Sequence, residues 1–146
     1  MSTEWTVTFD CAHPVAQAGF WQLALGYAPA GPPKDFASWP DWFAECGVPE
    51  EEWDDGAALE DPDGVRPRIS FLKVPESKAA KNRVHLDVQA GGGRSVPIDV
   101  RWPRVTAKVE QLVAAGAEVV KEHTLDNGVP DHVQMRDPEG NEFCVL

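Results

Sequence analysis

The sequence predicts an α+β chain in which one strand-and-helix unit is used twice. Three observations predict it. Several short stretches alternate apolar and polar residues with a period of two, as half-buried strands do. Two strand-to-helix segments, starting at Trp5 and Arg83, each run into a glycine, Gly26 and Gly116. Two near-identical turns, DPDG at 61–64 and DPEG at 137–140, each precede a strand, and their aspartates, Asp61 and Asp137, lie 76 positions apart.

The elements follow in order. From Trp5 to Asp10, Trp5, Val7 and Phe9 share one strand face and Thr6, Thr8 and Asp10 the other. His13 and Pro14 open a helix, proline costing nothing at a helix start, with Phe20, Leu23 and Ala24 as its apolar stripe and Gly26 as its stop. Residues 28–60 read as an insertion: a turn-rich connector, a short helix carrying Phe36, Trp39, Trp42 and Phe43, and a helical turn at Pro49–Trp53 with acids suited to its N-terminus. The insertion's aromatics need a cover, from the main sheet or from a second subunit. Arg68–Val74 is a strand with Ile69 and Phe71 opposed to Arg68, Ser70 and Leu72. In the next, Arg83–Gln89, Val84, Leu86 and Val88 oppose Arg83, His85 and Asp87. A flexible loop from Gly91 reaches Trp102, and Pro103 leads a helix with Val105, Val109, Leu112 and Val113 on its stripe. Strands at 117–122, 130–136 and 141–146 complete the chain.

Composition bounds the function. At 146 residues the chain suits one domain, and six Trp and six Phe argue for a packed core. A net charge of -11 repels phosphate backbones, so nucleic acid is not an expected partner. The carboxylates crowded into Pro49–Asp63 read as a solvated acidic segment. Cys11, Cys46 and Cys144 form neither a disulfide framework nor a zinc knuckle and fit a reducing cytosol. No signal peptide and no membrane span is legible. The expectation is a cytoplasmic, soluble protein without a membrane partner.

Five stretches resemble the vicinal oxygen chelate superfamily, the glyoxalase and bleomycin-resistance-like proteins. They are FDCAHP at 9–14 with GFWQLALG at 19–26, NRVHLD at 82–87, LVAAGA at 112–117, and RDPEGNEF at 136–143. The resemblance spans nearly the whole chain outside the aromatic insertion. It implies one glyoxalase-like domain over 1–146, built of two β-α-β-β-β modules (about 1–76 and 80–146) that form a cupped mixed sheet with flanking helices around a ligand cavity. It does not imply one reaction, because this scaffold hosts lyases, dioxygenases, epimerases and binders.

In metal-dependent members of the superfamily, four strand positions ligate a divalent ion, one pair per module. Here His85 falls on the histidine position of the second module, and Cys144 stands where a glutamate is usual. The first-module counterparts are Thr6 or Thr8, and Arg68 or Ser70. The set is incomplete for a tight site, although Asp87 shares a face with His85 and Glu142 with Cys144. A divalent metal at His85, with Glu142 or Cys144, is the one cofactor these positions would take. Three readings stay open: an interaction domain whose aromatic insertion mediates assembly stands behind a small-molecule binder without a complete metal site and a lyase or isomerase acting on a small oxygenated substrate, with His85 and Asp87 catalytic. In either of the last two, Thr6, Thr8, Arg68, Ser70, Cys144 and the aromatics Trp39, Trp42 and Trp102 are the expected ligand contacts. The resemblance also implies a homodimer. His13, His123 and His132 carry no expected role.

Overall fold

The first strand, β1, runs over Val7–Cys11 in the computed structural model, which describes residues 1–146. Helix α1 follows at Pro14–Leu25, proline in its first turn and Gly26 closing it in the left-handed region at φ 70°. A two-residue strand β2 (Ala28–Pro29), helix α2 (Trp39–Glu45) and a 3-10 turn (Glu50–Asp55) lead to β3 (Gly56–Glu60) and β4 (Ile69–Lys73). The chain divides into two compact units, Met1–Ser77 and Lys78–Leu146. The first has a four-stranded sheet in the order β1-β4-β3-β2, with β1 parallel to β4 and the other pairs antiparallel. Trp21, Phe20 and Ala24 of α1 bury against Leu59, Ile69 and Phe71, and Phe9 meets Trp21 and Phe71 edge-on at 5.1 and 5.4 Å.

The second unit begins with β5, only Asp87–Val88, and continues through α3 (Ile98–Ala114), β6 (Glu118–Thr124), β7 (Pro130–Arg136) and β8 (Glu142–Val145). Its sheet has the order β5-β8-β7-β6, with β5 parallel to β8 and the rest antiparallel. Val105 and Leu112 of α3 pack on Val133, Met135, Phe143 and Val145, all essentially buried. The strand order of one sheet is thus repeated in the other. No helix is long and apolar enough to cross a membrane.

Five details depart from the sequence reading. Trp5 precedes β1 and is 64% exposed, so the apolar face of that strand starts at Val7. On α1 the buried stripe runs through Gln17, Phe20, Trp21 and Ala24, and Leu23 lies toward solvent. The stretch at 28–60 is not wholly an insertion, because β2 and β3 at its ends are ladder strands; Pro29 is tolerated because β2 is an edge. Only two residues of the predicted strand at 83–89 join a ladder; upstream of them Leu86 O accepts from Cys144 N–H at 3.0 Å and Asn82 N–H donates to the Glu142 carboxylate at 3.0 Å. Helix α3 begins five residues before Pro103, capped at Pro97, whose carbonyl accepts from Val100 and Arg101 N–H at 3.0 and 2.8 Å; Pro103 sits exposed inside it, forgoing one backbone bond. In the loop before α3, Gly91 is shaped to its surroundings: a Cβ there would lie 2.4 Å from Arg101 Cγ.

The two Asp-Pro turns share their chemistry. Asp61 accepts from the N–H groups of Asp63, Val65 and Arg66, and Asp137 from those of Glu139 and Asn141. The Arg66 N–H bond is the largest influence holding the Asp61 carboxyl below its usual range. The turns also set the register between the repeats. Ala58 and Gln134 each lie three residues before their aspartate; Ala58 pairs with Ser70 and Gln134 with Cys144. Ser70 is therefore the counterpart of Cys144, and Arg68 that of Glu142. Across the parallel pairs Thr8 faces Ser70 and Asp87 faces Cys144, which makes Thr8 the counterpart of Asp87 and Thr6 that of His85.

Candidate functional site

On the sheet face opposite α3, three donor side chains gather. Asp87 is the register partner of Cys144, and strand alternation puts His85 on the same face one step upstream. His85 Nε2 lies 3.3 Å from Asp87 Oδ1, and the ligand atoms of His85, Asp87 and Cys144 all fall within 4.8 Å of one another. The two outer groups are about half exposed, whereas Cys144 is 9% exposed. Burial, and next the Asp87 charge, push the Cys144 thiol above its ordinary value, so it is protonated at neutral pH. Histidine beside a carboxylate can exchange a proton, and a buried protonated thiol can donate a weak hydrogen bond.

Glu142 does not join this group, although alternation puts it on the same face. Its carboxylate accepts from Asn82 N–H at 3.0 Å and pairs with Lys78 Nζ at 3.3 Å. The Asn82 bond, then its own backbone N–H and Lys78, lower it against the effect of burial from 4.5 to about 2, which makes it a fixed anion that ties down the start of the unit. Sequence reasoning missed the rest of the face. Gln134 stands directly across from Cys144, and its Oε1 lies 3.4 Å from His123 Nε2. His123 and His132 are a cross-strand pair with their rings stacked at 4.4 Å, and His132 Nδ1 meets Asp131 Oδ2 at 2.9 Å. A cross-strand pairing that has not been placed in register cannot be read from spacing, so neither histidine carried a signal.

In the first unit, Thr6, Thr8 and Arg68 are exposed and Ser70 half-buried, on the sheet face away from α1. They offer hydroxyls and one guanidinium where the second unit offers imidazole, carboxylate and thiol. Trp39 and Trp42 belong to α2, and their ring system is continuous: Trp39 stacks on Phe43 at 5.7 Å and Phe43 on Trp53 at 5.7 Å, with Trp42 edge-on to Trp39 at 5.6 Å. The Trp39 indole N–H donates to Ala30 O at 2.9 Å and that of Trp53 to Val48 O at 3.1 Å, so these rings are held within their own segment. Trp102 is half-buried on α3 of the other unit.

The second unit also contains a cavity of about 240 Å³ lined by Asp87, Gln89, Gly93, Arg94, Arg101 and Leu146. Asp87 is both a wall of this cavity and a member of the donor cluster. Arg94 Nη2 bonds Asp131 Oδ2 at 2.9 Å. The His132 hydrogen bond and then Arg94 hold the Asp131 carboxyl below its usual range.

The donor set suits a divalent ion of intermediate softness. Tetrahedral bonds of about 2.0–2.3 Å separate ligand atoms by roughly 3.3–3.8 Å, so side chains already within 4.8 Å need rotamer adjustments on the order of 1 Å. Three such ligands from one unit would hold an ion and leave a coordination position for a ligand oxygen.

Comparison with known proteins agrees with this architecture. The description "glyoxalase-like domain" matches residues 6–146. No curated protein matches the sequence. Among solved structures, a hypothetical protein, SA1046, from S. aureus aligns with a TM-score of 0.60 at 14% identity, covering 100% of this chain and 97% of its own. A glyoxalase/bleomycin resistance protein/dioxygenase family enzyme from Burkholderia phytofirmans PsJN aligns at 0.58 and 17% identity, covering 96% and 94%. A point mutant of the genomically encoded fosfomycin resistance protein FosX from Listeria monocytogenes, complexed with Mn(II) and 1S,2S-dihydroxypropylphosphonic acid, aligns at 0.59 and 14% identity, covering 99% and 89%. With two repeated β-α-β-β-β units and a match over residues 6–146, the chain belongs to the glyoxalase-like domain family.

Proposed function

We propose that this protein binds a small oxygenated molecule at the polar sheet face formed by His85, Asp87 and Cys144. The observation that carries the reading is the convergence of three chemically different donors, from two strands far apart in sequence, to within 4.8 Å. By itself the first unit carries a corresponding polar face of Thr6, Thr8, Arg68 and Ser70, which offers hydroxyls and one cation as ligand contacts. The same reading takes the protein to be a homodimer, and a monomer by light scattering at high concentration ends that part of it.

The donor set also favours a second reading, a lyase or isomerase with a divalent metal at His85. Cys144, in place of Glu142, would complete the set with Asp87. A bound ion would supply Lewis-acid polarisation of a substrate oxygen. In the absence of an ion His85 is the group suited to exchange a proton, with Asp87 fixing its orientation at 3.3 Å.

Elemental analysis of untagged protein, beside a His85→Ala variant, separates the two. Stoichiometric metal that disappears in the variant supports the enzyme. Metal-free protein that does not respond to added divalent ions, yet is stabilised by a compound from a broad thermal-shift library, supports the binder. If neither metal nor any compound binds, both readings fall.

A further inference from the structure

We infer that the cavity beside the donor cluster is an anion subsite, built by Arg94 and Arg101, that takes the carboxylate or phosph(on)ate end of a small ligand. This rests on the proposed binding face, since it names the ligand's chemical class and the wall it shares with that face.

The argument begins with Arg101. Only 6% of this residue is exposed, and its Nη1 and Nη2 donate to the carbonyl oxygens of Asp131 and Pro130 at 3.1 and 3.3 Å. Its Nε–H has no acceptor. A guanidinium carries five N–H donors and a permanent charge, so Arg101 is a desolvated cation whose hydrogen bonds go to neutral oxygens. Burying such a charge without a bonded anion is costly. The nearby carboxylate of Asp131 is itself engaged by Arg94 and His132 at 2.9 Å each. Arg104 adds a third cation, its Nη1 on Gly91 O at 3.4 Å.

Three of the seven arginines thus surround one glycine loop in a chain of net charge -11. Two of them line the cavity, where the only side-chain carboxylate in the lining is Asp87 and the Leu146 oxygen is already taken by Gly91 N–H at 2.9 Å. Gln89 adds an amide that can donate to an anion or accept from a hydroxyl. At roughly 30 Å³ per water, 240 Å³ accommodates about eight water-sized groups. The matching ligand carries its negative charge at the arginines and an oxygen function toward Asp87 and His85. Gly91 permits this, because a side chain there would collide with Arg101.

The test uses inorganic phosphate as probe, titrated into the full-length protein at constant ionic strength and followed by backbone amide shifts. The expected result is saturable binding centred on Gln89–Arg94 and weakened about tenfold by Arg94→Gln, an exposed position that leaves the core intact. Arg136→Gln, on β7 and paired with Glu118, controls for general charge and should leave affinity unchanged. Gly91→Ala, which keeps both charges but displaces Arg101, should also weaken phosphate. Absence of saturable binding, or equal loss in Arg94→Gln and Arg136→Gln, overturns the subsite. Neither result touches metal binding or ligand stabilisation at His85, so the two ideas fail separately.

Discussion

Glu142 shows how one side chain links protonation to structure. Its carboxyl is lowered from 4.5 to about 2 in the folded chain, so the unfolded state binds a proton that the folded state refuses. The stability it contributes is complete above about 4.5 and is lost as pH falls through about 2. Unfolding midpoints measured from about pH 6 to 2 should therefore decline for the wild type, and Glu142→Gln should flatten that part of the curve. The thiols offer a second check. Cys46 is exposed while Cys11 and Cys144 are buried, and Cys144 is further disfavoured as a thiolate. Thiol titration at about pH 7.5 should show one fast cysteine, abolished by Cys46→Ser, and two that appear on denaturation. At this scale the sequence revealed His85, Asp87 and Cys144 through alternation and resemblance. It could not reveal Gln134, His123 or Arg101, whose partners are set by strand register and a helix start that spacing does not encode.

Among the elements, α3 separates packing from pattern. Val105 and Leu112 are fully buried, whereas Val113, placed on the same stripe by sequence, is 46% exposed. Leu112→Ala should cost about 2–5 kcal/mol in denaturant unfolding, and Val113→Ala less than about 0.5 kcal/mol. Helices were legible because glycine ends and apolar stripes are local signals, apart from α3's start, which the proline at 103 disguised. The short strands were harder. β3 contains Ala57 and Ala58, weak strand formers, and becomes a strand because β4 lies beside it. β5 has strong alternation yet enters the ladder only at Asp87, while Asn82 upstream bonds a side chain of β8 instead of its backbone.

For the whole molecule, the twin Asp-Pro turns carried most of the information. They announced a duplicated unit, and both sheets indeed share one strand order. The placement of two extra residues in the first turn emerged only from the pairing of Ala58 with Ser70. Charge also acts at this scale. A net charge of -11 repels itself more in the compact state than in the expanded one, so salt should stabilise the protein. Raising sodium chloride from about 10 to 200 mM should lift the unfolding temperature by a few degrees, a rise that a pairwise surface-bridge view would not give.

The parallel contact of β5 with β8 has a kinetic consequence. Asp87 and Cys144 pair across the whole intervening helix and hairpin, and closing so long a segment is entropically slow. The donor cluster is therefore expected to assemble at the last closure of its unit. In a refolding time course, pulsed alkylation of Cys144 should persist after helical signal has recovered, which makes this thiol a clock for the end of folding.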